Sequence, residues 1–134
     1  FLYIAVQAVR SSASSMEKAK TPEQIGRDCI VDDLDHVTLR IDVDRDYRTF
    51  YELRLARGGY SSDAAVNNLT WTPERFEAYA ETDTHWQFEI VLPLHELFQA
   101  TQPSRVISLN AQRQIPSIGV QNLGGIPTDQ WLPQ

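Results

Sequence analysis

The sequence predicts an all-β fold, an antiparallel β-sandwich, and three observations carry that prediction. Apolar and polar residues alternate over short runs, which is the period of a half-buried strand. Residues that favour turns (Gly, Pro, Asn, Asp, Ser) gather between those runs. The runs recur at the regular spacing of sandwich domains.

The elements follow in chain order. Leu2, Ile4, Val6 and Ala8 share one face of a first strand. A polar stretch from Ser11 to Asp35 comes next, with at most a short helix near Pro22-Glu23-Gln24-Ile25. Val37, Leu39, Ile41 and Val43 then alternate with His36, Thr38, Arg40, Asp42 and Asp44, and Tyr51, Leu53 and Leu55 alternate with Phe50, Glu52, Arg54 and Ala56. Residues 45–49 between them suit a hairpin loop. Matching the apolar faces sets Ile41 against Leu53 and Leu39 against Leu55, hence Arg40 against Arg54 and Asp42 against Glu52. Gly58-Gly59 ends that strand, and Tyr60 to Pro73 reads as a loop. Phe76, Ala78 and Ala80 suggest the inward residues of another strand. Trp86, Phe88, Ile90 and Leu92 do so in the next, which Pro93 ends, and one helical turn follows at Leu94–Phe98. Ile107, Leu109 and Ala111 mark a late strand before an irregular tail from Gly119 to Gln134.

Composition narrows the function classes. The 134 residues read as one domain, 1–134, large enough for a single core. Twelve Lys and Arg against eighteen Asp and Glu give a net charge of -6, which argues against a nucleic-acid partner. No apolar run approaches the roughly 20 residues of a membrane helix, so no membrane insertion is expected. The chain opens directly in a strand, Phe1 to Val6, with no basic n-region. The expectation is a fragment of a larger protein, lacking its first strands and contacting other domains of the parent chain.

No enzyme is expected. The single cysteine, Cys29, stands in no local pattern with His36, His85 or His95, and the chain has no G-x-S-x-G elbow. Two acidic groups, Asp32, Asp33, Asp35 and Asp42, Asp44, Asp46, offer hard oxygen ligands for Ca²⁺. The second has the spacing that opens an EF-hand loop, but position six is Tyr47 rather than Gly and position twelve is Leu53 rather than Glu. The hairpin gathers Arg40, Glu52 and Arg54 on one face, and charged partners make the stronger hydrogen bonds to sugar hydroxyls. Trp86 alternates in phase with the core. Trp71, Trp131, Tyr47 and Tyr60 lie in loop context, where a ring either anchors the loop or stacks on a sugar.

The run Asp35-His36-Val37-Thr38-Leu39-Arg40-Ile41-Asp42 resembles the D-x-V-E-[IL]-x-[ILV]-D strand of family 9 carbohydrate-binding modules. Tyr51-Glu52-Leu53-Arg54-Leu55 is similar to the strand that follows it, and Trp86 to Leu97 to the W-x-x-E-x-x-I-P-x-x-x-L segment. Asn110 and Arg113 resemble the late N-x-x-R strand, and Leu2-Tyr3-Ile4 the L-Y-[IV] strand. Asp42 to Tyr51 is similar to a divergent version found in large bacterial proteins. The resemblance implies an immunoglobulin-like or jelly-roll sandwich that binds sugar chain ends between two tryptophans, with structural Ca²⁺. Trp131 would be one of the pair, and Glu52 and Arg54 would supply polar contacts. The second aromatic would fall near Asp32, yet no aromatic stands between Tyr3 and Tyr47.

The expected function is therefore a non-catalytic carbohydrate-binding module, extracellular or periplasmic. Its site is Arg40, Glu52, Arg54, Trp71 and Trp131, and its cofactor is Ca²⁺. One alternative is a structural or protein-interaction sandwich that has lost the sugar site. The other is a haem b-binding sandwich using Met16, although no haem is expected and no Cys-x-x-Cys-His attachment exists.

Overall fold

Period-two alternation builds the narrower layer. In the first strand, β1 (Leu2–Val9), the even-numbered residues turn inward and the odd-numbered ones outward. The computed structural model describes residues 1–11, 30–65, 71–98, 106–116 and 118–124. Among them, the other strands are β2 (His36–Asp42), β3 (Tyr51–Ala56), β4 (Tyr60–Ala65), β5 (Phe76–Glu81), β6 (His85–Leu92), β7 (Ser108–Ile115) and β8 (Gly119–Gly124). They form a three-stranded sheet, β1-β6-β5, and a five-stranded sheet, β4-β3-β2-β7-β8, with every pairing antiparallel. The all-β sandwich expected from the sequence is the fold observed.

The core lies between the layers. Leu39, Ile41, Leu53, Leu55, Trp86, Phe88 and Ile90 are buried in one cluster, as the alternation predicts, joined by Val37, Leu92, Leu97 and Phe98. Each such side chain contributes roughly 1.5–3 kcal/mol when fully removed from water. A single 3₁₀ turn at Leu94–Glu96 follows Pro93, where one helical turn was expected. Of the Ser11–Asp35 stretch, residues 12–29 lie outside the described residues, and the expected short helix at 22–25 with them. The tail expected to be irregular from Gly119 instead continues as strand β8 through Gly124, held by pairing with β7, and residues 125–134 lie outside the described residues.

The hairpin register differs from the expected one by two residues. Ile41 pairs with Tyr51, Leu39 with Leu53 and Val37 with Leu55. The slip preserves which side chains face the core, because the strand period is two. Two causes are visible. Asp42 Oδ1 accepts the backbone N–H groups of Asp44 and Arg45, and its Oδ2 that of Tyr47, which holds residues 43–50 as a long, structured connection rather than a short loop. The observed register also sets Arg40 against Glu52, where the expected one opposed Arg40 to Arg54 and Asp42 to Glu52.

Three further expectations are corrected. Residues 60–65 form β4, not loop. Gly58 and Gly59, at φ 91° and 82°, make the tight turn that leads into it, and a Cβ on Gly58 would sit 2.6 Å from the Tyr60 ring. The polar Ser61-Ser62-Asp63 run is a strand because Ser61 and Asp63 face the sandwich interior and meet the buried Arg75 there. In β5 the inward parity is Glu77, Tyr79 and Glu81, while Phe76, Ala78 and Ala80 face out. Tyr79 packs edge-on against Phe88, Glu77 binds Arg75 and Ser61, and Glu81 binds Arg10 and Arg57, so ion pairs replace apolar residues at this margin. In β7, Leu109 faces the core side but stays exposed, since three strands do not cover five.

Replacing Ile41 by Ala is expected to cost roughly 2–5 kcal/mol, because this fully buried residue sits in the central strand of the wider sheet. Urea unfolding measures it, with an unchanged m-value showing that the fold is kept.

Candidate functional site

Two candidate sites share β2. The first is a ladder of charges on the outer face of the wider sheet. Arg40 Nε donates to Glu52 Oε2 at 2.9 Å and its Nη1 to Gln112 Oε1 at 3.2 Å, while its guanidinium lies 5.7 Å from the centre of the Phe50 ring. Arg54 Nε donates to the other Glu52 oxygen at 2.8 Å, and its Nη1 reaches Asp32 Oδ1 at 2.6 Å. Glu52 is thus clamped between two arginines, and Arg40, Glu52 and Arg54 stand together as the sequence predicts. The face is not simply a solvated one: His36, Thr38 and Asp42 on the same parity of β2 are buried.

Trp71, expected beside this ladder, is not there. Trp71 is only 9% exposed, belongs to the core cluster, and packs against the Tyr51 ring at 4.5 Å. It anchors the chain before β5 and offers no stacking platform. Its indole Nε1 has no hydrogen-bond partner among the described residues. Tyr60 is likewise buried, with Val31, Leu34 and Ala56. Trp131 lies outside the described residues, as do Cys29 and Met16.

The Asp32, Asp33, Asp35 group does not converge. Asp32 turns to Arg54, and Asp33 is exposed. Asp35 is fully buried and points between the sheets. Its Oδ1 accepts Arg113 Nε at 2.9 Å, and its Oδ2 accepts Arg113 Nη2 at 2.7 Å and Trp86 Nε1 at 3.1 Å. Arg113 Nη2 also donates to the Val9 carbonyl at 2.6 Å. Asp35 is a structural anchor, with its carboxylate consumed by a buried guanidinium, and it is not a metal ligand. Its N-x-x-R partner was legible only through the family resemblance, since nothing in the local pattern ties residues 35 and 113.

The second site is the turn after β2. Asp42, Asp44 and Asp46 each bring one carboxylate oxygen within 4.8 Å of the others. Successive Asx turns hold them: Asp44 Oδ1 accepts the N–H of Asp46, and Asp46 Oδ1 accepts those of Arg48 and Thr49. Tyr47 occupies the EF-hand glycine position and takes the left-handed conformation that a glycine serves there, with φ 57°. Leu53, at position twelve, is buried in the core and supplies no ligand. Three carboxylates this close repel one another, so a cation of oxygen-seeking type fits the arrangement.

Burial pushes the Asp42 carboxyl above its usual value, and Asp44 beside it adds to the rise against the pull of the three N–H groups. Asp46 shifts the opposite way: desolvation raises it, but the N–H groups of Thr49 and Arg48 and the Thr49 hydroxyl outweigh that and lower it overall.

No family model matches the chain, and neither the curated proteins nor the solved structures give a match.

The two shifts predict opposite linkage. The raised Asp42 value favours the folded state below the ordinary aspartate value of about 3.9. That contribution is lost as pH rises through the raised value. The lowered Asp46 value stabilises above about 3.9, and its contribution is lost as pH falls through the lowered value. In metal-free protein, carboxyl ¹³C titration is expected to place the Asp42 midpoint above that of Asp46; the reverse order contradicts the geometry.

Proposed function

We propose that this domain is a non-catalytic carbohydrate-binding module whose polar ladder, Arg40, Glu52, Arg54 and Asp32, meets sugar hydroxyls. The observation that supports this reading is the mutual locking of the ladder. A sugar hydroxyl donates and accepts at once, and a weak ligand gains most from groups that lose little freedom on binding. The two guanidiniums and two carboxylates are already fixed by their ion pairs, on a face that also carries Gln112. The resemblance of the β2, β3, β6 and β7 segments to family 9 modules points the same way. The acidic turn is the Ca²⁺ site of this reading. With three carboxylates and no bidentate glutamate, its affinity falls in the weak range of extracellular modules, which suits an extracellular or periplasmic setting with other domains of a parent chain.

A second reading is favoured by the burial of Trp71. With that ring in the core, the ladder has no described tryptophan beside it, and a protein-interaction or structural sandwich accounts for the same face. The haem b alternative draws no support from the described residues.

Isothermal calorimetry or ligand-observed NMR with mono- and disaccharides separates the readings. The carbohydrate reading expects saturable millimolar binding that weakens about tenfold or more in Arg54→Ala, the loss of a charge-assisted hydrogen bond. No saturable binding to any sugar hands the face to the interaction reading. For the metal, Ca²⁺ at 100 times its dissociation constant is expected to raise stability by about 2.7 kcal/mol, reversed by EDTA. The double variant Asp44→Asn/Asp46→Asn is expected to abolish that gain. A melting temperature indifferent to both Ca²⁺ and EDTA removes the metal from the account.

A further inference from the structure

The charge ladder ends on an aromatic ring. Phe50 immediately precedes β3 and falls on the same parity as Glu52 and Arg54, so it faces outward with them. The Arg40 guanidinium lies over its ring, 5.7 Å from the centre, while Arg40 Nε is held by Glu52. Phe50 belongs to neither apolar cluster of the core and is only half-buried.

The residues on either side of Phe50 are pinned. The Thr49 N–H donates to Asp46 Oδ1 at 2.8 Å, and the Thr49 hydroxyl donates to Asp44 Oδ2 at 3.2 Å. On the other side the Tyr51 ring packs on Trp71, and its hydroxyl donates to the Leu97 carbonyl at 3.3 Å. The ring is therefore presented from a fixed backbone, and a weak ligand loses less freedom on a platform already in place.

The charges beside the ring select the kind of ligand. Two guanidiniums, Arg40 and Arg54, stand against two carboxylates, Glu52 and Asp32, and each guanidinium already meets a carboxylate. An anionic ligand would have to displace Asp32 or approach Glu52, on a molecule of net charge -6. An uncharged ligand bears neither cost. A pyranose also carries C–H bonds on its flat faces, which suit the negative face of an aromatic ring, and hydroxyls at its rim, which suit the ladder.

We propose that Phe50 is the stacking platform of the ladder site and that the site takes an uncharged pyranose, an inference that rests on the carbohydrate reading above. The sugar lays one C–H face on the part of the ring that stays at the surface, and its rim hydroxyls reach Arg40, Glu52 and Gln112 on the same face. Phe50 thus supplies the ring that Trp71, packed into the core, does not.

The test is calorimetry and ligand-observed NMR on the 134-residue chain with methyl glucopyranoside, cellobiose and glucuronate. The neutral sugars are expected to bind saturably and more tightly than glucuronate, with their C–H protons shifted upfield by the ring. Phe50→Leu keeps an apolar side chain but loses the ring, and is expected to weaken binding by roughly three- to tenfold and abolish the upfield shift. Phe50→Tyr restores both. Neutral-sugar binding that Arg54→Ala weakens but Phe50→Leu leaves unchanged keeps the carbohydrate reading and overturns the platform. Loss of affinity in Phe50→Leu without any upfield shift in the wild type also overturns it, since the ring then acts only by holding Arg40. Tighter binding of glucuronate overturns the choice of an uncharged ligand. No saturable binding of any of the three removes the carbohydrate reading, and the platform with it.

Discussion

The arrangement of this sandwich turns on one buried ion pair. Asp35 sits immediately before β2, between the layers, and grips Arg113 of β7 through both carboxylate oxygens while accepting the indole N–H of Trp86 in β6. Arg113 reaches on to the carbonyl of Val9 at the end of β1, and its guanidinium lies 6.0 Å from the centre of the Trp86 ring. Four segments from distant parts of the chain therefore meet at two side chains. Burying such a pair is expensive, and its net gain over apolar packing is small or negative. What it supplies is placement: apolar side chains tolerate a slipped neighbour, but a desolvated carboxylate does not tolerate a missing guanidinium.

The placement carries outward to the candidate site. Val31 and Leu34 pack with Ala56 and Tyr60, and the Asp35 carbonyl accepts the Arg57 N–H, so the approach to β2 is fixed against β3 and β4. With its start anchored, β2 enters both of its pairings in a determined register. That register sets Arg40 opposite Glu52 and brings Gln112 beside it. At the far end of β2, Asp42 gathers three backbone N–H groups and shapes the acidic turn. Arg75 plays the corresponding part on the opposite margin, where it binds Asp63, Ser61 and Glu77 out of water. The core is thus apolar in its centre and ionic at both flanks.

This division explains what the sequence could convey. Strands with plain alternation were legible: β1, β2, β3 and β6 were readable from period alone, and so was the burial of Ile41, Leu53, Trp86 and Phe88. Strands on the ionic flanks were not. Ser61-Ser62-Asp63 reads as a loop until Arg75 is seen to lie against it, and β5 reads with its faces reversed because Glu77 and Glu81 point inward to arginines. The hairpin faces were right but its pairing was two residues out, because a rule based on apolar matching cannot see that Asp42 holds a longer turn. Of the candidate site, the grouping of Arg40, Glu52 and Arg54 was legible, and so was the Asp42, Asp44, Asp46 spacing. The pairing of Asp35 with Arg113 was not legible, since its partner lies 78 positions away, and Trp71 stayed open between loop anchor and stacking ring because polar neighbours surround it in sequence while Tyr51 covers it in space.

The central claim is that Asp35 and Arg113 act as one unit, and a double-mutant cycle in urea tests it most directly. Asp35→Leu and Arg113→Met each leave one buried charge without its partner and are expected to cost about 3–5 kcal/mol. The double variant leaves none, and is expected to cost little more than either single change, a coupling of the kind expected for groups in contact within one hydrogen-bond network. If the two losses instead add, the pair is not the constraint that sets the strands in place, and the account of how β2 acquires its register fails with it.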